Sequence, residues 1–283
     1  MNIQKVFVVG AGQMGSGIAQ VAAATGYSVK LNDLHDDLVN KGLKVIEKNL
    51  DRNLSKGRIS EEEKQKIFSR LQKSTSLKDA HDADIVIEAA VENITIKTGI
   101  FKELDHICPT QTILATNTSS LPITEIAAAT QRPDKVVGMH FMNPVPVIKL
   151  VEIIRGLATS SDTFNIVKEM SEQMGKIPVE VNDAPGFVSN RVLCPMINEA
   201  IYTVYEGIAT PEAVDQVMKL GMNHPMGPLE LADLIGLDTV LYIMEILHQG
   251  FGDSKYRPCP LLRKYVAAGW LGRKSGKGFY NYS

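Results

Sequence analysis

With 283 residues, 44% of them hydrophobic and 22% charged, the chain is long enough for two cores of ordinary domain size and has a globular composition. A formal net charge of −2 sets up no field that would recruit nucleic acid or an anionic membrane surface. Cys108, Cys194 and Cys259 lie far apart without C-x-x-C spacing, which argues against a disulfide framework and against a metal centre. The opening residues lack the basic and apolar pattern of a leader, and no apolar run approaches the ~18–20 residues of a membrane span, so the cytoplasm is the expected location.

The first element is a short apolar strand, Lys5–Val9, followed by Gly10-Ala-Gly12-Gln13-Met14-Gly15 and a helix over Ser16–Thr25. The next apolar run, Ser28–Asn32, is closed by Asp33. Strand, G-x-G-x-x-G, helix and a following acid together form the context a dinucleotide fingerprint requires. Gly10 permits the tight turn, Gly12 lets backbone approach a pyrophosphate, and Gly15 lets the helix pack closely on the strand. Asp33 would accept hydrogen bonds from ribose hydroxyls and repel a 2′-phosphate, which favours NAD over NADP.

A helical insertion follows, over about residues 36–72. Its first helix, Asp36–Lys56, sets Val39, Leu43, Ile46, Leu50 and Leu54 on one face and Lys41, Lys44, Lys48, Arg52 and Lys56 opposite them. Gly57 reads as its C-cap, and Ser60-Glu-Glu-Glu63 as a capping box that opens a second helix. Further strands are expected at Ile85–Glu88, Thr112–Thr116, Lys135–His140, Leu150–Ile154 and Pro178–Val181. Strand and helix patterns alternate through this region, which predicts an α/β, Rossmann-like, doubly wound and mostly parallel sheet. After Pro185-Gly186 the periodicity is helical throughout, so we place a domain over 1–184 and an all-α domain over 185–283. Its helices are expected at Phe187–Gly207, from Thr210-Pro211 to Gly221, at Gly227–Leu234, Leu237–Gln249 and Pro260–Ala268. Pro195 falls where it would break or kink the first of these.

In a doubly wound sheet ligands lie beyond the carboxyl ends of the strands. Asn117-Thr118-Ser119-Ser120 and His140 both fall there. Glu152 sits in the apolar run Leu150–Ile154, where an unpaired charge is costly. Its natural partner is a histidine, and a carboxylate behind an imidazole fixes the ring's tautomer. A base of that kind is what hydride transfer from an alcohol needs. The pattern alone leaves bland alternatives open: a packed histidine, an outward-facing Glu152, and a Ser119 that caps a helix from Thr124.

Seven motifs stand in one order: Gly10-Ala-Gly-Gln-Met-Gly-Ser-Gly, Glu88-Ala-Ala-Val-Glu92-Asn, Asn117-Thr-Ser-Ser, His140-Phe-Met-Asn-Pro-Val-Pro, Pro185-Gly-Phe-Val-Ser-Asn190-Arg191, His224-Pro-Met-Gly-Pro-Leu-Glu and Gly272-Arg-Lys-Ser-Gly-Lys-Gly-Phe-Tyr280. In them the chain resembles the L-3-hydroxyacyl-CoA dehydrogenases, in particular the bacterial 3-hydroxybutyryl-CoA type, along its whole length. The resemblance implies His140 as general acid/base, Glu152 as its orienting carboxylate, and Ser119 and Asn190 on the substrate's oxygens. It implies NAD contacts at Gly10, Gly12, Gln13, Met14, Gly15, Asp33, Glu92, Lys97, Ser119, Asn143 and Lys274. Lys56, with Asn49, would meet an acyl-CoA thioester, Asn143 would also face substrate, and the helical domain would close over it and form a homodimer or larger homo-oligomer. Two other classes stay open: a hydroxyacid dehydrogenase of another substrate class, which would place a lysine base in its second domain, and a non-enzymatic, crystallin-like relative, which would need none of these polar residues.

Overall fold

The computed structural model describes residues 3–282, which fall into two compact units that meet in sequence at Asp183 and Ala184. The first unit contains β1 (Lys5–Val9), α1 (Gln13–Thr25), β2 (Ser28–Asn32), α2 (Asp36–Ser55), α3 (Glu61–Ser69), β3 (Leu71–Ser74), β4 (Ile85–Glu88) and α4 (Ile94–Ile107). It continues with β5 (Ile113–Thr116), α5 (Ile123–Ala127), β6 (Val136–Phe141), β7 (Leu150–Arg155), α6 (Ser161–Gln173) and β8 (Ile177–Asn182). The eight strands form one sheet in the order β3-β2-β1-β4-β5-β6-β7-β8. Every neighbouring pair is parallel except β6 and β7.

The central strands are buried on both faces, as parallel strands covered by helices must be. Val6, Val8, Val29, Leu31, Ile85 and Ile87 pack with Ile18, Ala22, Val39, Ile46 and Leu50 in one continuous core. The two faces of α2 separate as its periodicity predicts: Val39, Ile46 and Leu50 are buried, while Lys41, Lys44 and Lys48 are exposed. The Ser60 capping box is complete, with the Glu63 N–H donating to Ser60 Oγ at 3.1 Å and the Ser60 N–H donating to Glu63 Oε2 at 2.7 Å.

The start of α1 and the strand β3 differ from what the sequence predicts. Helix α1 starts at Gln13 rather than Ser16, directly behind Gly12, because the turn already points the backbone into the helix. The strand β3, with sequence Leu-Gln-Lys-Ser, is an addition at the sheet edge; two of its four residues are exposed, so no apolar alternation marks it.

The second unit holds α7 (Ser189–Tyr205), α8 (Pro211–Gly221), α9 (Pro228–Ile235), α10 (Leu237–Phe251) and α11 (Pro260–Ala267). Helix α7 packs against each of the other four and runs through Pro195 without a break. Burial of Cys194, Ile197 and Ile201 outweighs the ~3 kcal/mol a mid-helix proline costs. Two buried aspartates hold the C-terminal tail. Asp215 accepts the Leu229 and Glu230 N–H groups at 2.8 and 2.9 Å, capping α9, and the Tyr280 hydroxyl at 2.8 Å. Asp233 accepts the Phe279 and Tyr280 N–H groups at 3.0 and 2.9 Å and the Tyr282 hydroxyl at 3.0 Å. Burial and that last bond push the Tyr282 phenol up to about 12.

Candidate active site

The glycine turn sits at the carboxyl end of β1, beside β4, where the order of strands in the sheet reverses direction. Gly10 has φ of +96°, and a Cβ there would lie 2.6 Å from the Ala89 carbonyl oxygen, so no other residue fits without moving backbone. At Gly15 a Cβ would collide with the Gly10 carbonyl, which is what lets α1 approach β1 so closely. A Cβ at Gly12, by contrast, would meet no protein atom within 4 Å. The first turn of α1 has no side-chain cap and no acidic residue. Its N–H groups and positive dipole end therefore suit a pyrophosphate. Asp33 accepts the Ala11 N–H and the Leu34 N–H, each at 2.8 Å, one on each oxygen. Each oxygen keeps a second lone pair for a ribose hydroxyl. This donor and acceptor set fits a dinucleotide.

Three strand ends carry the polar residues. On β6, His140 is the register partner of Glu152 on the antiparallel β7. Its Nδ1 lies 2.8 Å from Glu152 Oε2, with the two residues 7% and 2% exposed. The direct register pairing explains why a charge is tolerated inside the apolar run of β7, and the open question of whether the two meet is closed. Asn117, after β5, accepts the Phe141 N–H at 2.9 Å and so ties its loop to the strand that carries His140.

Ser119 does not cap a helix; α5 starts behind Pro122 with no side-chain cap. Instead Glu92 Oε1 gathers the whole turn. It accepts the Thr118 hydroxyl at 2.5 Å, the Ser119 N–H and hydroxyl at 2.9 and 3.2 Å, and the Ser120 N–H and hydroxyl, both at 3.1 Å. Burial would raise the Glu92 pKa, but Lys97 and the bonds from this turn outweigh it and hold the carboxyl below the ordinary glutamate range. Lys97 is 1% exposed. Its ammonium lies 2.7 Å from Glu88 Oε1, 3.5 Å from Glu92 Oε2 and 3.4 Å from the Ala90 carbonyl. A lysine placed inside the protein behind Glu92 was not legible as such in the sequence. The burial of Glu88 had a signal: it is a charge closing the apolar run of β4.

Exposed Gln13 donates to Asn143 at 3.1 Å, so the loop after β6 rests on the start of α1, and Met14 is half-buried beside it. Asn49 donates to Gln20 at 3.1 Å. Asn49 and the exposed Lys56 share a groove of about 330 Å³ with Arg52, Arg58, Pro144 and Pro146. The basic end of α2 and the loop that follows His140 are thus walls of one space. In the second unit, Asn190 lies in the first turn of α7, and Lys274 lies 2.5 Å from Asp238 Oδ1. Among the described residues no cluster of three or more His, Cys, Asp or Glu could hold a metal ion.

Residues 5–184 match the family model for the 3-hydroxyacyl-CoA dehydrogenase NAD-binding domain, and residues 186–282 match the model for the C-terminal domain of the same enzymes. The chain belongs to the 3-hydroxyacyl-CoA dehydrogenase family. Within it, the chain is 55% identical over 280 residues to 3-hydroxybutyryl-CoA dehydrogenase of Bradyrhizobium diazoefficiens, covering 99% of this chain and 96% of that one. It is 45% identical over 288 residues to the mitochondrial hydroxyacyl-coenzyme A dehydrogenase of Homo sapiens, covering 99% and 91%. The crystal structure of (S)-3-hydroxybutyryl-CoA dehydrogenase from Ralstonia eutropha superposes with a TM-score of 0.98 at 52% identity, over the full length of both chains. The chain is therefore an NAD-binding oxidoreductase, its sheet unit the NAD-binding domain of this dehydrogenase family. No helix of the described residues is long and apolar enough to cross a membrane.

Proposed function

We propose that the dehydrogenase oxidises (S)-3-hydroxybutyryl-CoA reversibly to acetoacetyl-CoA, with His140 as general acid/base. NAD, when bound, supplies the hydride acceptor. In the oxidative direction His140 takes the C3 hydroxyl proton through Nε2 as hydride leaves C3; in reduction it returns that proton to the C3 oxygen. Glu152 holds the ring through Nδ1 and stabilises the charge that forms on the imidazole. The observation that carries this reading is the 2.8 Å contact between His140 and Glu152 at the carboxyl edge of the sheet.

The other roles follow the family resemblance. Gly10, Gly12, Gln13, Met14, Gly15 and Asp33 hold the dinucleotide, with Glu92, Ser119 and Asn143 at its nicotinamide end and Lys274 as a further contact. Lys97, expected as an NAD contact as well, is 1% exposed and stands behind Glu92. Ser119 and Asn190 bind the substrate's oxygen functions. Asn49 and Lys56 receive the phosphates of the CoA carrier, for which a basic groove of three cations is suited. Lys274 and Asn190 belong to the helical domain, spanning about 185–283, which closes over the substrate and forms the homodimer or larger assembly of a cytoplasmic enzyme.

The test is the loss of NADH absorbance when acetoacetyl-CoA is added. Oxidation of NADH, faster with the four-carbon thioester than with long-chain 3-ketoacyl-CoA, is the expected result. No oxidation, or a clear preference for a free hydroxy or keto acid, would overturn the proposal.

A further inference from the structure

We infer that Glu88 is a positioning residue for the reaction: through Thr116 and Lys97 it fixes the Thr118–Ser120 turn, and with it the Ser119 hydroxyl. The inference rests on the reading of Ser119 as a substrate contact.

Glu88 ends β4 and is wholly buried, yet both of its oxygens are used. Oε1 accepts the Lys97 ammonium at 2.7 Å and the Ala90 N–H at 2.6 Å, and Oε2 accepts the Thr116 hydroxyl at 2.7 Å. Two routes then lead to one turn. Along the first, Thr116 Oγ1 accepts the Thr118 N–H at 3.2 Å. Along the second, Lys97 faces Glu92 at 3.5 Å, and Glu92 receives the three consecutive residues Thr118, Ser119 and Ser120. The backbone closes the loop a third time, since the Asn117 N–H donates to the Glu88 carbonyl at 2.7 Å.

Stability is a poor explanation for this arrangement. Ile85, Val86 and Ile87 fill the rest of β4, and replacing Glu88 and Lys97 together by well-packed apolar residues would be no less stable than the buried ion pair. What an apolar pair would not do is tie Thr116 and Glu92, and through them the 118–120 turn, to the end of β4. With the Glu88 charge removed, the ammonium is drawn toward Glu92 Oε2 and shifts the carboxylate whose Oε1 binds the 118–120 turn, so that Ser119 moves with it. The glycine turn and Asp33, which hold the far end of the dinucleotide, share no side chain with this network; it meets the cofactor only at the nicotinamide end, beside Ser119. The expected damage therefore falls on turnover more than on cofactor affinity.

The experiment measures NADH-dependent reduction of acetoacetyl-CoA by Glu88→Gln, Ser119→Ala and the double variant. Glutamine keeps the size of the side chain and a partner for Thr116 but loses the charge. Glu88→Gln should lower kcat about tenfold or more, because small misplacements of a reacting geometry are costly, with the KM for NADH within about twofold. In the Ser119→Ala background the same substitution should cost less than about twofold, since coupled residues are not additive. Thr116→Val keeps every charge and removes only the first route. It should lose about two- to fivefold, again only when Ser119 is present, and it serves if Glu88→Gln does not fold. Losses that multiply in the double variants, or a KM for NADH that rises in step with the fall in kcat, would overturn the inference while leaving Ser119 in place. Wild-type rates in Ser119→Ala alone would remove Ser119 from the chemistry, and this inference with it.

Discussion

His140 with Glu152 and Lys97 with Glu88 are both buried pairs of a basic and an acidic side chain at the carboxyl edge of one sheet, yet they are held differently. The first pair spans two antiparallel strands in register, and the carboxylate meets the ring at Nδ1. The second joins a helix to a strand end, and the ammonium donates to Glu88 and to the Ala90 carbonyl and lies 3.5 Å from Glu92. A ring held at Nδ1 by a carboxylate is oriented to pass a proton through Nε2, whereas an ammonium held among buried acceptors sets shape. On the proposed reading the charge of the first pair serves the reaction, and that of the second the geometry of the turn that carries Ser119.

Substitutions at each pair separate these roles. His140→Gln should cut turnover by roughly 10²–10⁴, with NADH still bound by fluorescence titration; lost NADH binding would move His140 from the proton to the cofactor. Glu152→Gln should cost about 10–100-fold in kcat, the scale at which a partner that orients a functional imidazole acts, with a smaller change in KM for the thioester. Full activity there would mean that the 2.8 Å contact is structural only.

The second pair is sharpened by pH. The pKa of Glu92 is lowered on folding, so the stability its carboxylate contributes is complete above the ordinary glutamate range and is lost as pH falls through the lowered value. Thermal unfolding between about pH 6 and pH 3 should therefore show a steeper loss of Tm in the wild type than in Glu92→Gln. Parallel curves would show that the bonds from Thr118, Ser119 and Ser120 do not favour the ionised form. The smallest effect is expected away from both pairs. Lys56→Ala should raise the KM for acetoacetyl-CoA about two- to fivefold at low salt and less at high salt, as for an exposed ionic contact, with the KM for NADH unchanged.

The glycine turn, Asp33 and the His140–Glu152 pair were legible in the sequence as local violations of pattern, whereas Glu92, Lys97, Asn143, Asn190 and Lys274 entered only through the family resemblance. Gly10, Gly12 and Gly15 interrupt a strand–helix junction, Asp33 closes an apolar run, and Glu152 interrupts one. Burial of a charge demanded a partner, and His140 was the residue able to serve. The edge strand β3 was not legible, since Leu-Gln-Lys-Ser on a half-exposed edge carries no alternation and is ordered by pairing with β2. The inward placement of Lys97 was hidden for a related reason. On α4 it looks like any helical lysine, and only the convergence of Glu88 and Glu92 from outside that helix makes its burial tolerable. Pro195 reads in the sequence as a break or kink; α7 does not break there, because it packs against four other helices.

The most direct test is a crystal structure of the enzyme with NAD and acetoacetyl-CoA bound. Nε2 of His140 is expected within about 2.6–3.2 Å of the C3 oxygen, with Nδ1 still on Glu152. A C3 oxygen held by other side chains, with the His140 ring out of reach in the closed complex, would contradict the assignment of His140 as the acid/base.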